Sequence, residues 1–180
     1  MCQLCKTKPV YKFTNQRQLC KTCFTRYIEK KFLYTIRKFK LIKKQEKIST
    51  TNSNDFRNTV LKHLLKMFAE KSTIKLTNSA RKIAHPNTTD TEANKIIQEI
   101  IKGNTKNLKK YSPITKENSK TIIKPLYLLF DKEVLLYAKI KKLKYKMSET
   151  KQDKIQKFLN SLEKKHPEVK QAIIQAYLQL

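Results

Sequence analysis

Residues 2–23 read CQLCKTKPVYKFTNQRQLCKTC. Cys2 and Cys5 form one CxxC pair, Cys20 and Cys23 a second, and fourteen residues lie between the pairs. This is the spacing of a zinc ribbon, in which two knuckles supply four thiolates to one tetrahedral ion. A piece of about 25 residues cannot bury enough apolar surface to fold alone, so the expected Zn(2+) supplies its folding energy. Four thiolates leave no open coordination position, which makes the metal structural. Tyr11 and Phe13 are the strand residues expected between the knuckles. Two disulfides would need an oxidising compartment, and MCQLCKTK lacks the apolar core of a signal peptide. A redox CxxC would open a helix of a thioredoxin-like fold, which the pattern does not show. The expected compartment is reducing and cytoplasmic.

Beyond the ribbon the composition narrows the function. The chain has 180 residues, 41 Lys+Arg against 14 Asp+Glu and a formal charge of +27. A fold does not need that excess, so it points to a polyanionic partner: RNA, DNA or an anionic membrane surface. A hydrophobic fraction of 39% with eight Phe and eight Tyr is too apolar for a basic disordered tail. The one glycine, Gly103, excludes GxGxxG and Walker-type loops, which need several. No apolar run reaches the roughly 18–20 residues that span a bilayer. No cysteine follows Cys23, so no thiol remains downstream for catalysis or a cluster.

Four pieces follow in order: a ribbon over 1–25, a basic connecting helix over 26–45, weak strand and helix patterns over 46–146, and helices over 147–180. In the second piece Ile28, Phe32, Ile36 and Phe39 recur at a helical period, with Arg26, Lys30, Arg37, Lys38 and Lys40 on the other faces. The segment EKISTTNSND reads as a loop. A helix at about Asp55–Lys71 follows, capped by Asp55 or Asn54. Weak extended stretches fall near Thr73–Leu76 and Lys82–His85. Thr89 or Asp90 caps a helix over Glu92–Lys102 that ends at Gly103, the left-handed C-cap. Residues 104–120 read as loop, TIIKPLYLLF as a short buried strand broken by Pro125, and Asp131 as a helix start. Two helices split by Pro167 end the chain. The alternation favours a small α/β layer.

The basic helix reads as a phosphate-contacting surface beside the ribbon, with salt-sensitive contacts. A second basic patch surrounds Tyr145 and includes Lys141, Lys142 and Lys144. A membrane-surface reading of the helix fits poorly beside a zinc ribbon. His63 reads as a boundary residue, His85 as a turn residue, and His166 as part of the joint before Pro167. No Ser/His/Asp arrangement can be assigned.

Several segments carry a resemblance in one order: CQLC, CKTCF and YIEKKFLYTIRKFKLIKKQEKI (27–48), then HPNTTDTEANKIIQEIIKGN (85–104), KPLYLLFDKEVLLYA (124–138) and FLNSLEKKHPEVKQAIIQAYLQL (158–180). Together they resemble the PP-loop family of tRNA 2-thiouridine synthetases and cytoplasmic tRNA 2-thiolation proteins. The resemblance implies an α/β fold: a zinc ribbon, then a reduced PP-loop layer like that of adenine nucleotide alpha hydrolases, then C-terminal helices. The family's nucleotide loop is SGGxDS. Here the equivalent positions are Ser49, Thr50, Thr51, Asn52 and Ser53, without the glycines that expose backbone N–H groups to pyrophosphate. The stretch between this loop and HPNTTD is shorter than the family's, as if strands were deleted. The second cysteine-rich ribbon of some members is also missing. Loss of loop and thiols resembles the family's degenerate, non-catalytic subunit. That resemblance implies tRNA as ligand, a heterodimer with a catalytic PP-loop subunit, a ubiquitin-like sulfur carrier as a further partner, and no membrane. The alternatives are an active ATP-dependent sulfurtransferase and a plain zinc-ribbon protein that binds ribosomal RNA.

Overall fold

The structure, a computed structural model, describes residues 1–147 and 153–180. Residues 148–152, at the start of the C-terminal segment expected to be helical, lie outside the described residues. The ribbon carries a two-stranded antiparallel hairpin, β1 (Tyr11–Lys12) and β2 (Gln18–Leu19), in which Tyr11 faces Leu19. Helix α1 spans Lys21–Lys38. It therefore starts inside the second knuckle, five residues before the helix expected over 26–45, and stops where Lys40 turns to φ 49°. Its buried residues Phe24, Ile28, Phe32 and Ile36 sit at steps of four, the stripe a core-facing helix needs.

A five-stranded sheet follows, with β3 (Lys47–Thr50), β4 (Lys75–Leu76), β5 (Lys82–Ala84), β6 (Ile114–Glu117) and β7 (Lys120–Ile123) in the order β4-β3-β5-β7-β6. Four strands run parallel, and β6 pairs antiparallel with β7. The segment EKISTTNSND thus begins as an inner strand, β3, and only then becomes a loop, a correction to its reading as loop throughout. Residues 104–120, also expected to be loop, hold a 3-10 helix (Thr105–Tyr111) and β6. The connection from β4 to β5 is residues 77–81, which passes β3 without a helix. Parallel strands ordinarily need a crossover of a dozen or more residues. Here β4 ends with Leu76 level with Ile48, and β5 starts with Lys82 level with the same residue, so five residues suffice.

Helices α2 (Phe56–Glu70), α3 (Thr89–Ile101), α4 (Asp131–Ile140), α5 (Lys154–Lys165) and α6 (Val169–Tyr177) complete the chain. Ile48, Ala84 and Ile123 on one sheet face share a core with Leu61 and Leu64 of α2, Val134 of α4 and Phe24 and Phe32 of α1. Ala93 and Ile96 of α3 form a second cluster with Tyr127 and Ile174 of α6. Thr88, not Thr89 or Asp90, caps α3 through a reciprocal bond with Thr91. Gly103 takes φ 71° beyond its end, as a left-handed cap requires. No described helix is long and apolar enough to cross a membrane.

Candidate metal centre and nucleic-acid interface

The two knuckles bring Cys2, Cys5, Cys20 and Cys23 together, with all four Sγ atoms within 4.8 Å of one another. Cys5 and Cys20 are 3.3 Å apart, and Cys5 and Cys23 3.7 Å. A tetrahedral ion with zinc–sulfur bonds near 2.3 Å places its thiolates about 3.8 Å apart. A four-iron cluster inserts a cage of metal and sulfide between its thiolates, for which this group is too tight. The backbone pre-forms the site. In the first knuckle the Lys6 N–H donates to Cys2 O, and the Cys2 N–H to Thr7 O. In the second, Cys20 is the N-cap of α1, and its sulfur accepts from the Cys23 N–H at 3.5 Å. The thiols are not equivalent. Hydrogen bonding from Thr7 and from the Cys23 N–H lowers Cys20 to about 6. Burial first, then the neighbouring thiols, pushes Cys23 up to about 12. If all four sulfurs ionise, so small a space favours a cation among them, and the four cysteines could hold one metal ion.

The loop after β3 lies at the C-terminal end of an inner parallel strand, the place where open α/β sheets take ligands. Its polar groups serve one another. Asn58 is fully buried. Its amide donates to Thr51 O at 2.7 Å and Ser53 O at 2.6 Å, and its carbonyl accepts from the Thr51 hydroxyl at 3.2 Å. Asp55 caps α2 by accepting the Asn58 N–H at 2.7 Å, so a carboxylate already sits at the end of the helix that would otherwise favour phosphate. Ser49 is buried under the loop, and only Asn52 of Ser49–Ser53 is exposed. Replacing Asn58 with Ala strands the carbonyls of Thr51 and Ser53. The expected cost is about 2 kcal/mol in urea unfolding.

A chain of ion pairs fills the rest of this crevice. Arg57 grips Asp131 through two bonds of 2.7 and 2.5 Å. Asp131 also accepts from the Thr88 hydroxyl, and its N–H donates to Asp90 at 2.7 Å. Lys170 of α6 donates to Asp90 at 2.6 Å and pairs with Glu163 of α5 at 2.7 Å. Burial and the nearby Asp131 carboxylate raise the Asp90 carboxyl, against the pull of Lys170. Five helices thus meet over the strand ends through charges that satisfy each other.

A groove of about 740 Å³ lies between the ribbon, α1 and α6, and a second of similar volume lies between the 3-10 helix, β6 and the end of α6. Arg26, Lys30 and Lys38 line the first with Tyr27 and Tyr34, and Arg17 enters from the ribbon. No carboxylate lines it, and among the described residues none pairs with Arg26, Lys30 or Lys38. Arg37 and Lys40 are exposed outside it. Of the second basic patch, Lys141 is tied to Glu29 of α1 at 3.2 Å, while Lys142 and Lys144 are exposed beyond α4. Tyr34, which the sequence reading did not select, is half exposed and carries Lys38 5.8 Å from its ring centre. A stripe of Tyr27, Lys30, Lys31, Tyr34 and Lys38 at helical spacing was the available signal. His63 packs 5.9 Å from the Tyr137 ring and His166 is the C-cap of α5, while His85 directly follows β5, its N–H donating to Ile123 O.

No protein-family model matches the chain, and no curated protein matches it. Among solved structures it is similar to the U34-tRNA thiolase NcsA from Methanococcus maripaludis, determined with its [4Fe-4S] cluster. The two are 18% identical with a TM-score of 0.82, over 99% of this chain and 86% of that chain. The likeness establishes the fold: a parallel α/β layer behind an N-terminal four-cysteine ribbon, in the arrangement of that thiolase.

Proposed function

We propose that the chain is a tRNA-binding, non-catalytic subunit of a complex that thiolates the wobble uridine. It works in the cytoplasm beside a catalytic PP-loop homologue, as a heterodimer, with sulfur brought by a ubiquitin-like carrier. One observation carries the reading: the chain keeps the fold of a U34-tRNA thiolase along nearly its whole length, while its own side chains close the strand-end crevice. Adenylating a uridine needs a loop with backbone N–H groups free for phosphate. Here a carboxylate and a buried amide take that place. A second, catalytic cluster would need further thiols, and these 180 residues hold none past Cys23.

Cys2, Cys5, Cys20 and Cys23 would hold one Zn(2+), whose contribution is to fold the ribbon. The ribbon orients α1, and α1 presents Arg26, Lys30 and Lys38 to RNA. Arg37, Lys40, Lys141, Lys142 and Lys144 extend the positive surface. Ser49, Thr50, Thr51, Asn52 and Ser53 form a nucleotide loop that no longer takes nucleotide.

Purification from the native cell tests the reading, with identification of the bound protein and RNA. The expected yield is tRNA and a PP-loop ATPase, and calorimetric titration of the isolated chain with ATP releases no heat. Recovery of ribosomal RNA without tRNA supports the plain RNA-binding alternative. Thiolated uridine made by the isolated chain with ATP and a sulfur donor overturns the non-catalytic assignment.

A further inference from the structure

The groove between α1 and α6 offers two different walls. On α1, Tyr34 is 49% exposed with Lys30 and Lys38 one turn to either side. On α6, Gln171 and Gln175 are four residues apart, exposed, and line the same cavity, with the buried Ile174 between them. Residues four apart share a helix face. Each carboxamide both donates and accepts, which is what the hydrogen-bonding edge of a base requires. An accessible aromatic ring can stack only on a base whose own face is free. Lys30 and Lys38 pair with no described carboxylate, and Lys38 reaches over one side of the ring at 5.8 Å, so both suit the phosphates flanking a base on the ring. A cavity of about 740 Å³ encloses a small ligand and not a duplex. Tyr27 does not do this work, because its hydroxyl is fixed between Glu133 at 3.1 Å and Lys31 at 2.8 Å.

We propose that this groove binds an unpaired nucleotide of RNA, its base stacked on Tyr34 with its edge toward Gln171 and Gln175, and its flanking phosphates on Lys30 and Lys38. The assignment rests on the tRNA-binding reading above and adds the part of the RNA that is held. Unpaired nucleotides occur both in a hairpin loop and in a single-stranded 3′ end, and the chemistry of the groove is the same for both.

The test uses the full chain with labelled tRNA and three labelled model RNAs: a hairpin with an unpaired loop, a duplex with a single-stranded 3′ tail, and a blunt duplex. Fluorescence anisotropy reads affinity at fixed salt. Tighter binding of the hairpin or the tailed duplex than of the blunt duplex is expected, and the tighter of the two identifies the source. Tyr34→Ala is expected to weaken that RNA about tenfold and to leave the blunt duplex unchanged. Tyr34 is half exposed, so the variant should keep the parent melting temperature. Lys30→Gln with Lys38→Gln weakens all three RNAs and flattens the salt dependence. Equal binding of the blunt duplex, or an unchanged affinity in Tyr34→Ala, overturns the proposal. If tRNA still binds Tyr34→Ala as tightly as the parent, the groove assignment falls and the tRNA-binding reading stands. If no RNA binds the parent chain, both fall.

Discussion

Chelating the metal, or replacing Cys20 with Ser, is expected to unfold the ribbon and to lower the melting temperature of the whole chain. The ribbon's regular structure is two strands of two residues, far too little to hold itself in water. Metal binding in such modules is worth about 10–16 kcal/mol, as much as the whole stability of an ordinary domain, about 5–15 kcal/mol. The loss does not stay local. Cys2, Leu19, Cys20 and Phe24 belong to the same core as α1, α2 and α4. Tyr11 packs 4.9 Å from Phe24, and Phe13 lies 4.8 Å from Tyr27, so ribbon aromatics brace the helix that faces the groove. Cys20 is the sharpest position because it is both a candidate ligand and the N-cap of α1. Elemental analysis should find one zinc per chain. Thiol titration should find all four cysteines protected until chelator is added. Identical melting curves with and without metal would refute the structural role, and iron with acid-labile sulfide would refute zinc.

What a single sequence reveals here follows the range of the interaction. The four candidate ligands are two local pairs with a recognisable interval, so the four-cysteine cluster is legible in residues 2–23. The apolar stripe of α1 and the stop at Gly103 are local too. Strand β3 is not, because Lys-Ile-Ser-Thr is short and runs into Asn and Ser, and it becomes a strand only between β4 and β5. The crevice is the extreme case. Arg57 meets Asp131 across 74 residues, and Lys170 meets Asp90 across 80. Nothing near Asp90 or Glu92 announces those partners, so a capping role is the local inference, while Thr88 takes the cap and both carboxylates turn inward. Cations are legible one by one, but their pairing is not: Lys141 is bound to Glu29, Lys31 to Glu133, and Lys30 to no described carboxylate. The groove has the same limit, since its second wall exists only once α6 lies against α3.

Lys124→Met is expected to destabilise the chain by about 3–5 kcal/mol, comparable to the whole margin of a marginal domain. Lys124 is 4% exposed and Glu92 is fully buried. Their charges meet at 2.6 Å, and Lys124 also donates to Lys110 O at 3.0 Å, anchoring the 3-10 helix to the end of β7. Burial pushes the Lys124 ammonium below its ordinary value, and the Glu92 carboxylate pulls it back. Removing the lysine leaves Glu92 with the Asn87 amide and the largely exposed Lys95 at 3.8 Å. Neither repays the desolvation of a carboxylate at that depth. The pair itself is another matter, because a buried ion pair and a hydrophobic pair of similar volume are often close in free energy. Glu92→Leu combined with Lys124→Met should therefore recover most of the loss, and the shortfall measures the bond to Lys110 and the packing. Urea unfolding of the parent, both single variants and the double closes the cycle. If Lys124→Met lies within about 0.5 kcal/mol of the parent, the charge is not sealed and water reaches Glu92. If the double variant is as unstable as Lys124→Met, the lysine acts through Lys110 O and not through Glu92.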